Sequence, residues 1–252
     1  MYPFIHLGPL SVPTFGLMVA LALLAAAYVM EADFRRRCIE ADTYHIVLVG
    51  GLVALVGARL YSVLETPREF FARPWSMLFS RYGFTWFGAF LVGVPTLLIM
   101  ARKYRVPLLE FLDASSPAAA VGYAIGRIGC LLAGDGDYGQ PTTLPWGMSF
   151  PDGLVPTIER VHPTPIYEFL AWMAIAAILW HLGAQAGRGS KLRGDVFCGY
   201  MILTGVARFL VEFIRINPRV LFGLTNAQIV SVGCVILGAV LLWRIKSSRG
   251  AG

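Results

Sequence analysis

Residues 126–139 read GRIGCLLAGDGDYG, a stretch that sets a permanent cation and two carboxylates against an apolar run. Arg127 is flanked by Gly126 and Gly129, which let a backbone or a ligand come close to the guanidinium. Asp135 and Asp137 follow where the run ends. A second arginine, Arg208, occurs in GVARFLVEFIR, with Glu212 one helical turn later. That i, i+4 spacing puts both on one helix face, where the carboxylate can neutralise and aim the guanidinium. A third, Arg59, sits in VGARLY. An arginine inside an apolar segment is costly, and its default reading is functional. The plainer alternative is a structural charge, met by a carboxylate or by snorkelling to the interface. Two guanidiniums within a small helical bundle require an anionic partner. In a bilayer the most available anion is a lipid phosphate, which arginine grips with bidentate hydrogen bonds.

The remaining polar candidates lie near the ends of apolar runs. The two aspartates beside glycine also suit a solvated turn. VHPTPIYE supplies His162, Tyr167 and Glu168. His162 is a candidate functional histidine or an interfacial one. Tyr167 and Glu168, near a helix start, suit an interface anchor and a partner for the helix dipole.

The elements that must position these groups are set by composition. The chain has 252 residues, 57% hydrophobic and only 14% charged, with a mean hydropathy of +0.65. Soluble domains carry about 25% charged residues, so this is a polytopic, all-α membrane protein. Apolar runs close to the ~20 residues that cross a bilayer recur at about 12–31, 44–65, 84–101, 113–133, 164–183, 195–214 and 226–244. That makes about seven spans. The first run has no basic residue before it and no small-residue cleavage site leading to a soluble domain, which argues against a removable signal peptide.

Basic residues give the orientation. With the N-terminus outside, the inner loops and tail hold Arg35, Arg36, Arg37, Arg102, Lys103, Arg105, Arg188, Lys191, Arg193, Arg244, Lys246 and Arg249. The outer side holds half as many: Arg68, Arg73, Arg81, Arg160, Arg215 and Arg219. The bias predicts the N-terminus outside and the C-terminus inside. Those inner loops also account for most of the net charge of +6, so no nucleic-acid partner is implied. Cys38, Cys130, Cys198 and Cys234 are scattered without metal-ligand spacing, so neither a disulfide framework nor a metal site is expected. The longest polar stretch, 134–163, is rich in Gly and Pro and predicts turns and short extended pieces on the outer face. A second outer loop, 66–83, mixes aromatic and basic residues as an interfacial segment does. No soluble domain, low-complexity linker or internal repeat is apparent.

Taken in order, eight stretches resemble the bacterial phosphatidylglycerol–prolipoprotein diacylglyceryl transferases over nearly the whole chain. They are FGLM (15–18), GARLYSVL (57–64), GFTWFGAFLVG (83–93), GRIGCLLAGDGDYG (126–139), LPWGMSFP (144–151), HPTPIYE (162–168), ARFLVEFIR (207–215) and NAQIVS (226–231). The resemblance implies a single integral-membrane transferase domain over 1–252, in the bacterial cytoplasmic membrane, with a periplasmic N-terminus, a cytoplasmic C-terminus and its active site toward the periplasm. It implies transfer of the diacylglyceryl group of phosphatidylglycerol to the lipobox cysteine of a preprolipoprotein, releasing glycerol 1-phosphate, with no cofactor. On that likeness Arg127 binds the lipid phosphate and Arg208 is the second essential arginine. Glu212 is the partner of Arg208, Asp135 stands for a family glutamate, and Gly139 closes the signature after a one-residue insertion. His162 joins the catalytic candidates, and Arg59, Phe15, Phe87, Cys130 and Gly139 join Arg127 and Arg208 as lipid-binding ones. Three positions depart from the pattern: Phe87 replaces a histidine proposed as base, Cys130 an asparagine and Phe15 a tyrosine. They mark a divergent branch. The alternative is a paralogue that binds phospholipid without this catalysis, or that uses another acceptor.

Overall fold

A computed structural model describes residues 2–8, 10–78, 85–185 and 193–250. The chain opens with a hairpin, β1 (Phe4–Leu7) and β2 (Leu10–Pro13), leading directly into α1 (Thr14–Arg37) and then α2 (Thr43–Glu65). Two short helices, α3 (Pro67–Ala72) and α4 (Pro74–Leu78), precede α5 (Trp86–Lys103) and α6 (Leu108–Ala133). A second hairpin, β3 (Met148–Phe150) and β4 (Thr157–Val161), leads to α7 (Thr164–Gln185) and α8 (Asp195–Val211). One 3-10 turn, Glu212–Ile214, extends α8. A third hairpin, β5 (Arg219–Leu221) and β6 (Leu224–Thr225), precedes α9 (Asn226–Gly250). The all-α expectation is thus modified by three small antiparallel pairs, which serve as connectors.

Among the described residues, six helices are long and apolar enough to cross a membrane: α1, α2, α6, α7, α8 with its 3-10 extension, and α9. Their surfaces invert the usual amphipathic pattern. On α2, Leu48, Leu52, Val56, Leu60 and Leu64 form an i, i+4 stripe, and each is more than half exposed. In a soluble bundle such a stripe faces the core; exposed, it is suited to hydrocarbon. The bundle is centred on α6, which packs against α1, α7 and α8, while α2 pairs with α5 and α8 with α9. Ala114, Ala118, Ala120 and Ala124 of α6 are buried. Small side chains let helix axes approach where no aqueous hydrophobic effect drives association.

The buried polar groups at one end of the bundle fix helix starts. Asp113 of α6, fully buried, accepts from Gly194 N at 2.7 Å and Phe197 N at 2.8 Å, and so caps α8 from another helix. At the same end, Arg36 stacks over Trp180 at 4.3 Å, and Arg249 meets Asp195 at 2.9 Å. The opposite end carries 134–163 and the β5–β6 hairpin. In the 66–83 loop, the strongly exposed Phe71 and Trp75 suit an interfacial placement. Arg81, Gly83, Phe84, Arg188 and Lys191, which entered the expectations above, lie outside the described residues.

Candidate active site

The site forms where α6 ends. Gly134 adopts φ 59°, a left-handed conformation that glycine takes without penalty, and its N–H closes the helix on Cys130 O at 2.9 Å. The chain then turns back as an extended strip. Gly139 N donates to His162 O at 2.9 Å, His162 N to Gln140 O at 3.0 Å, and Gln140 N to Ile214 O at 2.8 Å. Residues 139–140 therefore lie between the start of α7 and the end of α8. Glycine is required at 139: a Cβ there would stand 2.5 Å from Ile214 O and 2.9 Å from His162 Cβ. This close approach draws three carboxylates and three arginines from separate parts of the chain into one cluster, with Asp135 beside it.

Glu168, fully buried on the first turns of α7, is the hub. Arg208 Nη1 lies 2.6 Å from its Oε1, and Arg127 Nη2 and Arg215 Nη1 lie 2.6 and 3.2 Å from its Oε2. Tyr123 Oη donates to Oε1 at 2.9 Å. Asp137 forms a second bridge, pairing with both Arg127 and Arg215. Glu212 lies 2.9 Å from Arg208 Nη2 and 3.7 Å from Arg215 Nε, and accepts from Asn217 Nδ2 at 2.5 Å. Some of these contacts are ion pairs without hydrogen-bond alignment: among the described residues, Arg127 Nη2, Arg215 Nε and Glu212 Oε2 have no hydrogen-bond partner. Arg127, Arg208 and Arg215 are balanced by Asp137, Glu168 and Glu212, so each cation is held charged and aimed in a poorly solvated place. Arg208 is the most open of the three, its side chain 24% exposed against 9% and 6% for Arg127 and Arg215.

Asp135 differs from its neighbour. Among the described residues it is in no ion pair, and its Oδ1 accepts Asp137 N at 3.2 Å. Burial pushes its carboxyl above the ordinary aspartate range; the charge of Asp137 adds to this, and Cys130 and Arg127 oppose it without cancelling it. For Asp137 burial acts in the same direction, but Arg127 and Arg215 outweigh it and hold the carboxyl below the usual range. Ligand atoms of Cys130, Asp135 and Asp137 lie within 4.8 Å of one another, a spacing a metal could use. Arg127 already supplies a cation there, its Nη1 donating to Asp137 and to Cys130 Sγ at 3.3 Å.

The structure brings Arg127, Arg208, Glu212, Cys130 and Asp135 together. Gly139 belongs to the backbone that assembles them. His162 faces elsewhere: its Nδ1 lies 3.2 Å from Tyr167 Oη, which accepts from Trp146 Nε1 at 2.8 Å. Phe15 of α1 packs against α6, its Cδ2 3.3 Å from where a Cβ on Gly129 would sit. Phe87 of α5 lies 6.4 Å from the Tyr61 ring, and Arg59 is buried on α2. Sequence reasoning named Asp137 without giving it a role, and missed the hub and one cation. It took Glu168 as a helix-dipole partner and Arg215 as a loop charge, whereas both are buried. Their only signal was that they close HPTPIYE and ARFLVEFIR.

The pattern of a known family, prolipoprotein diacylglyceryl transferase, matches residues 3–244. The chain belongs to this family. Among its relatives, a phosphatidylglycerol–prolipoprotein diacylglyceryl transferase of Clostridium tetani is 30% identical, covering 91% of this chain and 91% of its own. One from Synechococcus elongatus is 30% identical over 97% of this chain and 88% of its own. One from Leptospira interrogans is 27% identical over 92% and 89%. With six apolar helices, this family member is a multi-pass membrane protein.

Proposed function

We propose that the protein moves the diacylglyceryl group of phosphatidylglycerol onto the lipobox cysteine of a preprolipoprotein. The cysteine sulfur attacks the glycerol carbon, a C–S bond forms, and the C–O bond to phosphate breaks. The bonding electrons leave on glycerol 1-phosphate. Charge thus grows on the phosphate, and guanidiniums preset around it in a low-dielectric site stabilise that charge without reorganising, usually the largest catalytic contribution. The observation that carries this reading is the convergence of Arg127, Arg208 and Arg215 on Glu168 at the end of α6. The three guanidiniums hold more N–H donors than their carboxylates use, leaving some for a phosphate.

The thiol proton needs an acceptor, since Phe87 stands where the family resemblance places histidine. Asp135 fits the task. It is beside the cluster, in no ion pair among the described residues, and its raised carboxyl makes it a better base than an ordinary aspartate. A phosphate brought close raises it further. His162, engaged with Tyr167, is the weaker candidate.

In this reading α5 is a seventh span, and the chain lies in the cytoplasmic membrane with the basic helix ends inside. The Arg127–Glu168 cluster then faces the periplasm, where exported lipoproteins present their cysteine. Lipid enters sideways between helices, because its acyl chains stay in the bilayer, and 134–163 borders the approach of the peptide. Two experiments test this. The gene should restore growth to a bacterium depleted of its own transferase. Purified protein should lipidate a lipobox peptide from phosphatidylglycerol. Lipid binding with no transfer at any pH would favour the non-catalytic paralogue instead.

A further inference from the structure

Beside the arginine cluster, toward α9, lies a cavity of about 230 Å³ that has no role in the mechanism given above. Gln140, Glu212, Arg215, Asn217, Arg219 and Gln228 line it. It is built rather than incidental: Glu212, Arg215 and Gln228 are 2%, 8% and 3% exposed. Arg215 belongs to both compartments. Its Nη atoms are committed to Glu168 and Asp137, while its Nε has no hydrogen-bond partner among the described residues. Its nearest carboxylate oxygen, on Glu212, is 3.7 Å from that Nε.

The lining specifies a ligand class. Arg215 and Arg219 against Glu212 leave one positive charge in excess, which suits an anion. Gln140 lines it with a side-chain amide, Asn217 keeps its Oδ1 and one N–H beyond its bond to Glu212, and Gln228 keeps its N–H₂ while its Oε1 accepts from Thr225 N; these remaining donors and acceptors suit hydroxyl groups. The volume is below the roughly 300–1,000 Å³ of drug-sized sites, so a three-carbon headgroup fits and acyl chains do not. Charge also explains why such a place is needed. The cluster of Arg127, Arg208 and Arg215 is already balanced by Asp137, Glu168 and Glu212. A phosphodiester carries one negative charge, whereas a released monoester approaches two at neutral pH, more than a balanced cluster readily holds.

We propose that this cavity is a polyol-phosphate subsite, in which Arg219 and Arg215 Nε meet the phosphate and the amides meet the glycerol hydroxyls. It rests on the transferase reading and adds a location for the glycerophosphate moiety, whether still part of the lipid or already released. The probe is glycerol 1-phosphate, titrated into purified protein in detergent by calorimetry, with Arg219→Ala and Gln140→Ala as variants. Both residues are exposed, so the fold should tolerate the changes. Wild type should bind, and Arg219→Ala should weaken binding about tenfold or more, as loss of a charge-assisted hydrogen bond does. In the transfer assay, a raised KM for phosphatidylglycerol would locate the headgroup of the intact lipid there. A change confined to inhibition by added glycerol 1-phosphate would locate the released product. If wild type does not bind the probe, or Arg219→Ala binds it equally well, the subsite does not exist. A raised KM for the lipobox peptide with unchanged probe affinity would assign the cavity to peptide and overturn the proposal. Binding that depends on Arg219 in a protein that transfers nothing would preserve the subsite and refute the transferase reading.

Discussion

Glu168→Gln tests the electrostatic design most directly. The substitution keeps shape but removes the one charge that Arg127, Arg208 and Arg215 share, at 2.6, 2.6 and 3.2 Å. It also turns an amide N–H₂ toward guanidiniums that can only donate. Removing one partner of a buried ion pair costs about 3–5 kcal/mol, because the remaining charge stays buried and unmet. For a chain of this size 1 kcal/mol lowers Tm by about 2–4 °C, so a fall of roughly 6–20 °C is expected. The sign of the leftover charge supplies a second readout. Three guanidiniums would face only Asp137 and Glu212, and the cluster would carry one excess positive charge. An anionic phosphate restores the balance. Phosphatidylglycerol added to detergent micelles should therefore raise Tm more in Glu168→Gln than in wild type, and phosphatidylcholine should not. Turnover should fall about 10²-fold, the penalty of misplacing catalytic groups by about 1 Å. The measurements are intrinsic-fluorescence melts in the two lipids and the peptide lipidation assay. A variant with wild-type Tm and turnover would refute the claim that Glu168 organises the arginines.

Arg127→Lys should lower kcat/KM by at least about tenfold despite keeping the charge, because an ammonium lacks the planar fork that meets Asp137, Glu168 and phosphate together; normal complementation by Arg127→Ala would sink the phosphate site altogether. Asp135 must be deprotonated to take the thiol proton, and its carboxyl is raised, so activity should be lost as pH falls at a higher pH than for an ordinary aspartate. Asp135→Asn should remove that acidic limb and cost about 10²–10⁴ in rate, whereas His162→Ala should keep it. A rate independent of Asp135 would pass the proton to another group. Asp137, held low by two guanidiniums, adds stability that is present above the unfolded aspartate pKa and lost as pH falls through its folded value. Asp137→Asn should flatten that acidic loss of Tm. Gly139→Ala forces a Cβ to 2.5 Å from Ile214 O and should cost about 1–3 kcal/mol, read as a lower Tm together with weaker phosphatidylglycerol binding.

Apolar runs, the loop between 134 and 163 and the Arg208–Glu212 pair were all readable from the chain, and for one reason. Span length and helical periodicity are local, so thirty residues of text carry the information. Arg127 was conspicuous because a guanidinium in an apolar segment is anomalous wherever the rest of the chain goes. Glu168 and Arg215 were not conspicuous. A glutamate on the first turns of a helix and an arginine just beyond one are ordinary in sequence, and only contacts across 40 and 47 residues reveal them as buried partners. By likeness Asp135 stood for the family glutamate, whereas nothing in the residues gave Asp137 a role. Two residues apart in a turn, they point to different surroundings, and the tertiary structure decides which meets the guanidiniums and which stays free to accept a proton. That choice depends on Gly139, whose missing Cβ lets the strand after α6 lie against Ile214 and carry Arg215 into the cluster. Local spacing determined the helices and named the first arginines; long-range packing of connectors determined the charge partners, because nothing local fixes how two distant loops meet.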